Sequence, residues 1–306
     1  MEISPDILLE RMRLKSAASK WRIAAIILLG LLLVAILAKT SGNLIPGDYI
    51  GRVSVTGIIE EDLDRDKALE DLAKDKHAKA VILYIDSPGG TLVGGETLFN
   101  SLRAVAAKKP VVAVMGTLAA SAGYLIATSA DHIVAHNGTL TGSIGVLMES
   151  FEVKDLANKL GINFISVKSS PLKGSPSPFE KMTPEVELAV KNLINNSYEY
   201  FLNTVASRRN IEKTELKTLA DGRVYTGSQA LEIKLVDEIG GEKEAVKWLE
   251  DTKKIKKNLD IRDVKTEKDE EGVEKYLLGL AGKAGIIPKA MALHGLLAIW
   301  NNSGIK

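Results

Sequence analysis

Two short apolar runs, AVILYI (80–85) and PVVAVM (110–115), constrain this chain more than any other feature. Each is uninterrupted, rich in β-branched residues and of strand length, which is the pattern of a strand covered on both faces. Each leads into a turn of small residues and then a helical stretch. After the first come DSPGG and apolar positions at Leu98, Phe99, Leu102 and Val105; after the second a helix is predicted near 121–130. Upstream, YIGRVSVTGII alternates apolar and polar residues as a half-buried strand does, and 66–76 reads as a charged helix. Strand-then-helix repetition calls for parallel strands joined by helical crossovers, so the fold class is α/β.

Farther along, HIVAH and TLTGSIGVLM read as two more strands, VKDLANKLG as a helix closed by Gly161, and NFISVKS as a strand. Residues 170–180 form a loop rich in Pro, Ser and Gly. Thr183 and Pro184 open a long helix with proline at its first position, packed through Val186, Val190, Leu193, Ser197, Phe201 and Val205. Residues 252–275 are strongly charged and predicted to be exposed. The apolar stretch 276–300 is broken by Lys283, Pro288 and Lys289, and is expected to pack or to contact a second subunit rather than to lie in or cross a membrane. These readings set a catalytic domain at 49–250 and a charged, then apolar, extension at 251–306.

The N-terminus speaks to location. Ile23–Ala38 is an unbroken apolar run flanked by Trp21, Arg22 and Lys39. A spanning helix needs about 17–25 apolar residues, which the run reaches with its flanks included. Arg11, Arg13, Lys15, Lys20 and Arg22 precede it, whereas only Lys39 follows before Asp48. Positive residues stay inside. The expectation is a cytoplasmic segment at 1–20, a single-pass transmembrane anchor at 21–39, a linker at 40–48, and a catalytic domain outside the cytoplasm. A cleaved signal peptide fits less well, because Ile36 and Leu37 spoil the small-residue site before Ala38.

Composition removes several kinds of chemistry. Forty basic residues balance thirty-nine acidic ones, so there is no field to attract nucleic acid. Without cysteine there are no disulfides, thiolate nucleophiles or Cys-based metal sites. The four histidines (His77, His132, His136 and His294) are scattered, and neither a metal nor a cofactor is expected.

In open α/β sheets ligands bind beyond the carboxyl ends of the strands. Gly89 and Gly90 follow the strand 80–85, where free backbone N–H groups can approach a ligand and hold an oxyanion. Pro-Gly-Gly is also an ordinary turn. Ser121 falls at the same mouth after the next strand, among Ala119, Ala120, Ala122 and Gly123, which leave room for a substrate backbone. A helix start stabilises negative charge, but a serine there also serves as a cap, and local chemistry leaves both roles open. A nucleophilic serine needs a base. Asp131, His132 and His136 raise a Ser-His-Asp triad, yet both histidines lie on the same side of one short strand and read as structural. The other base is a lysine kept neutral by burial or neighbouring groups, for which Lys168, Lys173 and Lys181 bracket the loop after 163–169.

From Tyr49 to Gly241 the chain resembles the signal peptide peptidase A family, serine peptidases with a ClpP/crotonase-like fold. The resemblance rests on DSPGG (86–90), AASAGY (119–124), GTLTGSIGV (138–146), KSSPLK (168–173), MTPE (182–185) and DGRVYTGSQALEIKLVDEIGG (221–241), in that order. It implies a core of repeated ββα units and a Ser–Lys dyad. Ser121 would be the nucleophile, Lys173 the general base and Ser143 the hydroxyl that orients the lysine. Gly90 would be the main-chain oxyanion donor, with Gly89 and Ala122 beside it in the substrate-binding wall. Ala122 stands where the family commonly has glycine, and SSPLKG lacks the glycine often found between the two lysines, which leaves Lys168 as the alternative base.

The family also implies a homo-oligomeric, dome-shaped ring in which adjacent subunits supply serine and lysine, held to membrane lipid by the anchor. The substrates expected are remnant signal peptides and other hydrophobic peptides, with small or apolar side chains favoured by alanine-rich walls. A sister protease cutting one membrane protein, a crotonase-like acyl-CoA enzyme and a scaffold without catalysis are the competing readings.

Overall fold

The computed structural model describes residues 20–30, 32 and 47–265. The chain divides between Gly47 and Asp48 into two units. In the first, residues 20–30 and 32 are helical with exposed side chains. Among the described residues no helix is long and apolar enough to cross a membrane. The remainder of the expected anchor, residues 31 and 33–39, lies outside the described residues, as do the segment 1–19 and the stretch 276–300.

The second unit is built on one mixed sheet. β1 (Tyr49–Ile59), β2 (Ala78–Gly90) and β3 (Val111–Ala120) run parallel, with register shifts after Thr56 and after Ile85, and α1 (Leu63–Lys74) and α2 (Leu92–Ala106) are the intervening crossovers. β3 then serves two branches. Its first half, Val112–Met115, pairs with β4 (His132–Ala135), and its second half, Leu118–Ala120, pairs with β5 (Leu140–Gly142). β7 (Glu238–Ile239) extends the first branch, and antiparallel β6 (Val224–Thr226) extends the second. β8 (Asp260–Asp263) adds to the outer edge of β1, past the domain boundary expected at residue 250.

The continuous apolar runs are covered on both faces, as their composition requires. Val81, Leu83 and Ile85 face α1, α2, α3 (Ala122–Ala127) and α5 (Pro184–Arg209), in a core that includes Leu72, Leu98, Leu125 and Phe201. Ala80, Ile82, Val112 and Val114 face the other way, onto Ala245 and Leu249 of α8 (Glu242–Asp251). Each fully buried aliphatic side chain contributes about 2 kcal/mol. Helix starts follow the expected cap chemistry. Asp62 accepts the N–H groups of Asp64 and Arg65, Thr91 accepts that of Gly94, and Thr183 accepts that of Val186 ahead of Pro184. Asn210 ends α5 in the left-handed conformation, at φ 51. The remaining helices are α4 (Lys154–Lys159), α6 (Lys213–Leu219) and α7 (Gly227–Glu232).

Two predicted strands form differently. Within TLTGSIGVLM only Leu140–Gly142 is strand, because Gly142 (φ 80) and Ser143 (φ 48) turn the chain off the sheet. NFISVKS is not a strand: it has no ladder partner among the described residues, and Ile165 and Val167 are 83% and 97% exposed. Without a partner its backbone has no ladder bonds to make.

Candidate active site

β3 ends at Ala120 and α3 begins at Ala122, so Ser121 alone makes the corner between them. Its backbone stands at φ 54, ψ −121, a region that costs a residue with a Cβ about 1–3 kcal/mol. Hydrogen bonds on both sides hold it there. The Ser121 N–H donates to the Gly142 carbonyl at 2.9 Å, and the Ser121 carbonyl accepts the N–H of Leu125 at 2.9 Å. The Ser121 hydroxyl makes no capping bond to the helix. The cap role therefore falls away, and the hydroxyl is left presented from a sharp strand-to-helix turn.

Gly89 packs against this corner. Its φ is +111, and a side chain there would place Cβ 2.8 Å from the Cβ of Ser121. Its N–H is not free as the sequence suggested, since it donates to Ser87 Oγ at 3.0 Å. Gly90 differs. Ile59 O accepts the N–H of Thr91 at 2.9 Å, and Gly90 lines the same cavity as Ser121. A Cβ at Gly90 would meet Ile59 O at 1.9 Å, so no other residue fits this backbone.

Ser143 completes the near wall. Its φ is 48, and its N–H donates to Arg223 O at 2.8 Å. Gly90, Ser121, Ala122 and Ser143 line one cavity of about 700 Å³. The rest of its wall is larger than the alanine-rich lining expected, with Leu92, Leu125, Ile144, Leu193 and Phe201 facing in. Ala119 and Ala120 are instead buried in the sheet.

The lysines are elsewhere. Among the described residues no lysine lines this cavity. Lys173 is exposed, and its backbone N–H donates to Ser170 O at 3.1 Å. Lys168 is held by Glu180 and by Ser175 Oγ, the latter at 3.2 Å, so its ammonium is engaged with a carboxylate. Lys181 lies 3.8 Å from Asp155. A single chain brings Ser121, Ser143, Ala122, Gly89 and Gly90 together and leaves both candidate bases outside.

The histidine alternative does not assemble. His132 Nε2 is 3.0 Å from Glu238, and its ring stacks on Trp248 at 4.7 Å between centroids. Asp131 accepts the N–H of Val111 at 3.1 Å, and His136 sits against Gly241. Tyr124, three residues after Ser121, is fully buried and donates to Leu235 O at 2.9 Å, and burial pushes its phenol well up.

Sequence reasoning gave no role to the loop Ala220–Gly222, which forms the far wall of the cavity. Arg223, next in the chain, gives Ser143 its backbone partner, and its Nε contacts both Asp221 carboxylate oxygens at 2.8 Å. The guanidinium holds that carboxyl down at about 2. The signal was the DGR triplet at 221–223.

The chain is similar to known peptidases. The family model described as peptidase family S49 matches residues 103–256, and the model described as Clp protease matches 65–136. A protein of Synechocystis sp., provisionally assigned as a protease, is 40% identical over 201 residues, covering 65% of this chain and 72% of that one. A provisionally assigned signal peptide peptidase of Enterococcus faecium is 35% identical over 214 residues, covering 69% of this chain and 61% of that one. Protease 4 of Haemophilus influenzae is 34% identical over 196 residues, or 63% of this chain and only 31% of that longer protein.

Proposed function

This chain belongs to peptidase family S49 and is a serine peptidase, and on that premise we propose that it is a membrane-anchored endopeptidase whose Ser121 works with Lys173 of a neighbouring copy. The observation that carries this reading is the strained corner at φ 54, with its uncapped hydroxyl at the mouth of an apolar cavity beside Gly90 and Ser143. A neutral lysine takes the proton of Ser121 Oγ as the oxygen attacks the scissile carbonyl. The Gly90 N–H receives the developing oxyanion, and the lysine returns its proton to the leaving amine. Water activated by the same lysine then attacks the acyl-Ser121 ester, releasing the second product and freeing the serine. Ser143 Oγ orients the lysine.

Lys173 is preferred over Lys168 because Lys168 is already committed to Glu180. Supply from a second copy is supported by the position of Lys173, outside the cavity of its own chain. The aliphatic and aromatic wall suits extended apolar peptides, and remnant signal peptides released into the membrane are the substrates of that kind. The apolar run 23–38 with its cationic N-terminal flank supports the anchor and an extracytoplasmic catalytic domain.

Treatment of the protein with a serine-reactive peptidyl fluorophosphonate tests the centre of this reading. Mass spectrometry should find the adduct on Ser121, and Ser121→Ala should abolish both labelling and peptide cleavage. An adduct on Ser143, or none on a well-folded sample, overturns it.

A further inference from the structure

The strained corner at Ser121 persists only if its surroundings over-determine it. The hydrogen bonds to Gly142 and Leu125 fix the near end of α3. The far end ends on three successive carbonyls, at Thr128, Ser129 and Ala130, and each accepts a guanidinium N–H. Arg208 donates through Nε to Thr128 O at 2.8 Å and through Nη2 to Ala130 O at 2.9 Å. Arg103 Nη1 donates to Ser129 O at 2.8 Å. The two arginines come from different helices. Arg103 is on α2, which starts just beyond Gly90, and Arg208 is on α5, which supplies Leu193 and Phe201 to the cavity wall.

Cations on the last carbonyls of a helix stabilise it in themselves, and this arrangement has a second consequence. Two like charges stand side by side, and burial together with Arg103 weakens the hold of Arg208 on its proton. The nearest carboxylate contact is Arg103 to Asp131, at 3.9 Å. What the pair does achieve is geometric. Three helices, α2 that follows Gly90 in the chain, α3 that follows Ser121 and α5 of the cavity wall, are tied at one point, about 10 Å along the helix axis from Ser121 at 1.5 Å per residue. A planar fork spanning two carbonyls fixes axial position, which a lysine point charge does not.

We infer that Arg208 and Arg103 are positioning residues, a clamp that sets where α3 holds Ser121 relative to the Gly90 N–H. The inference rests on the reading of Ser121 as nucleophile for its catalytic consequence, though not for its structural one. Displacement of a reacting group by about 1 Å costs on the order of 100-fold in rate.

Full-length protein carrying Arg208→Gln, Arg208→Lys or Arg103→Gln is compared with wild type in two measurements. The first is amide hydrogen exchange across Ser121–Thr128, with β1 and β2 as the internal standard. The second is steady-state cleavage of an apolar peptide. For Arg208→Gln, exchange at Ser121 and Leu125 should quicken at least tenfold while β1 and β2 are unchanged. Its kcat should fall roughly 10- to 100-fold with KM within about twofold of wild type. Arg208→Lys should fall between, and so should Arg103→Gln, which carries the test if Arg208→Gln does not fold. Unchanged exchange at Ser121 together with wild-type kcat, whatever the melting temperature, overturns the clamp. If wild type neither cleaves peptide nor is labelled at Ser121 while Arg208→Gln still loosens the corner, the clamp stands and the peptidase mechanism fails.

Discussion

Ser121 is the residue at which backbone and chemistry meet most sharply. Glycine in place of alanine normally costs about 0.5–1 kcal/mol through chain entropy. At φ 54 the balance reverses, because only glycine escapes a strain of about 1–3 kcal/mol. Ser121→Gly should therefore melt at or above Ser121→Ala, with both inactive; a glycine variant that melts several degrees lower removes the strain argument. Lys173→Ala should lose cleavage and keep its fold, while Lys168→Ala should keep most of its activity, since Lys168 serves Glu180. The reverse pattern in peptide assays would exchange the two lysines. Much at this scale was legible. DSPGG and AASAGY placed Gly90 and Ser121 at one mouth because each follows a buried strand. The Gly89 N–H was not legible as engaged, since its competitor, Ser87 Oγ, is a side chain whose direction depends on the turn. Nor was the left-handed backbone of Ser121 and Ser143, which small residues permit but do not dictate.

Elements were legible where they bury themselves and illegible where they need a partner. AVILYI and PVVAVM declare strands through apolar continuity, and both lie at the sheet centre. NFISVKS carries similar propensity but is exposed in the single chain, because propensity says nothing about what lies alongside. The start of β1 is joined to the end of α1 by a bond with a pH signature. The Tyr49 hydroxyl donates to Asp75 Oδ2 at 2.7 Å, and burial, then the Asp75 carboxylate, push the phenol up to about 12. A folded-state pKa raised above the unfolded value stabilises fully below about pH 10 and is lost as pH climbs through about 12. Tyr49→Phe should be less stable than wild type by about 1 kcal/mol near neutrality. Denaturant titrations should show that gap closing between about pH 10 and 12. A gap that is constant across the range would mean that the phenol ionises as freely folded as unfolded.

At the scale of the whole molecule, the catalytic parts and the apolar surface point the same way. One chain brings Ser121, Gly90 and Ser143 to one cavity, and among the described residues no lysine lines it. The same chain leaves Phe151, Leu156, Leu160, Ile165 and Val167 exposed, in the segment that ends at Lys173. Isolated exposed apolar residues are ordinary, but a run of them marks a contact surface. A second copy seated there would cover the run and carry its lysine towards a neighbour's serine, in a head-to-tail contact of the kind that forms a ring when its rotation closes. This arrangement has a consequence that a self-sufficient site lacks. Ser121→Ala and Lys173→Ala chains, each inactive alone, should recover activity when unfolded together and reassembled. A site is then intact only when its serine and its neighbour's lysine are both wild type, so random equimolar mixing should restore roughly a quarter of the wild-type rate. Inactivity of the mixture, alongside a fully active monomer, would put the base in the same chain as its serine. The exposed run would then require another partner. Recovery near a quarter, lost again when Ile165 or Val167 is changed to aspartate, would tie catalysis and assembly to one surface.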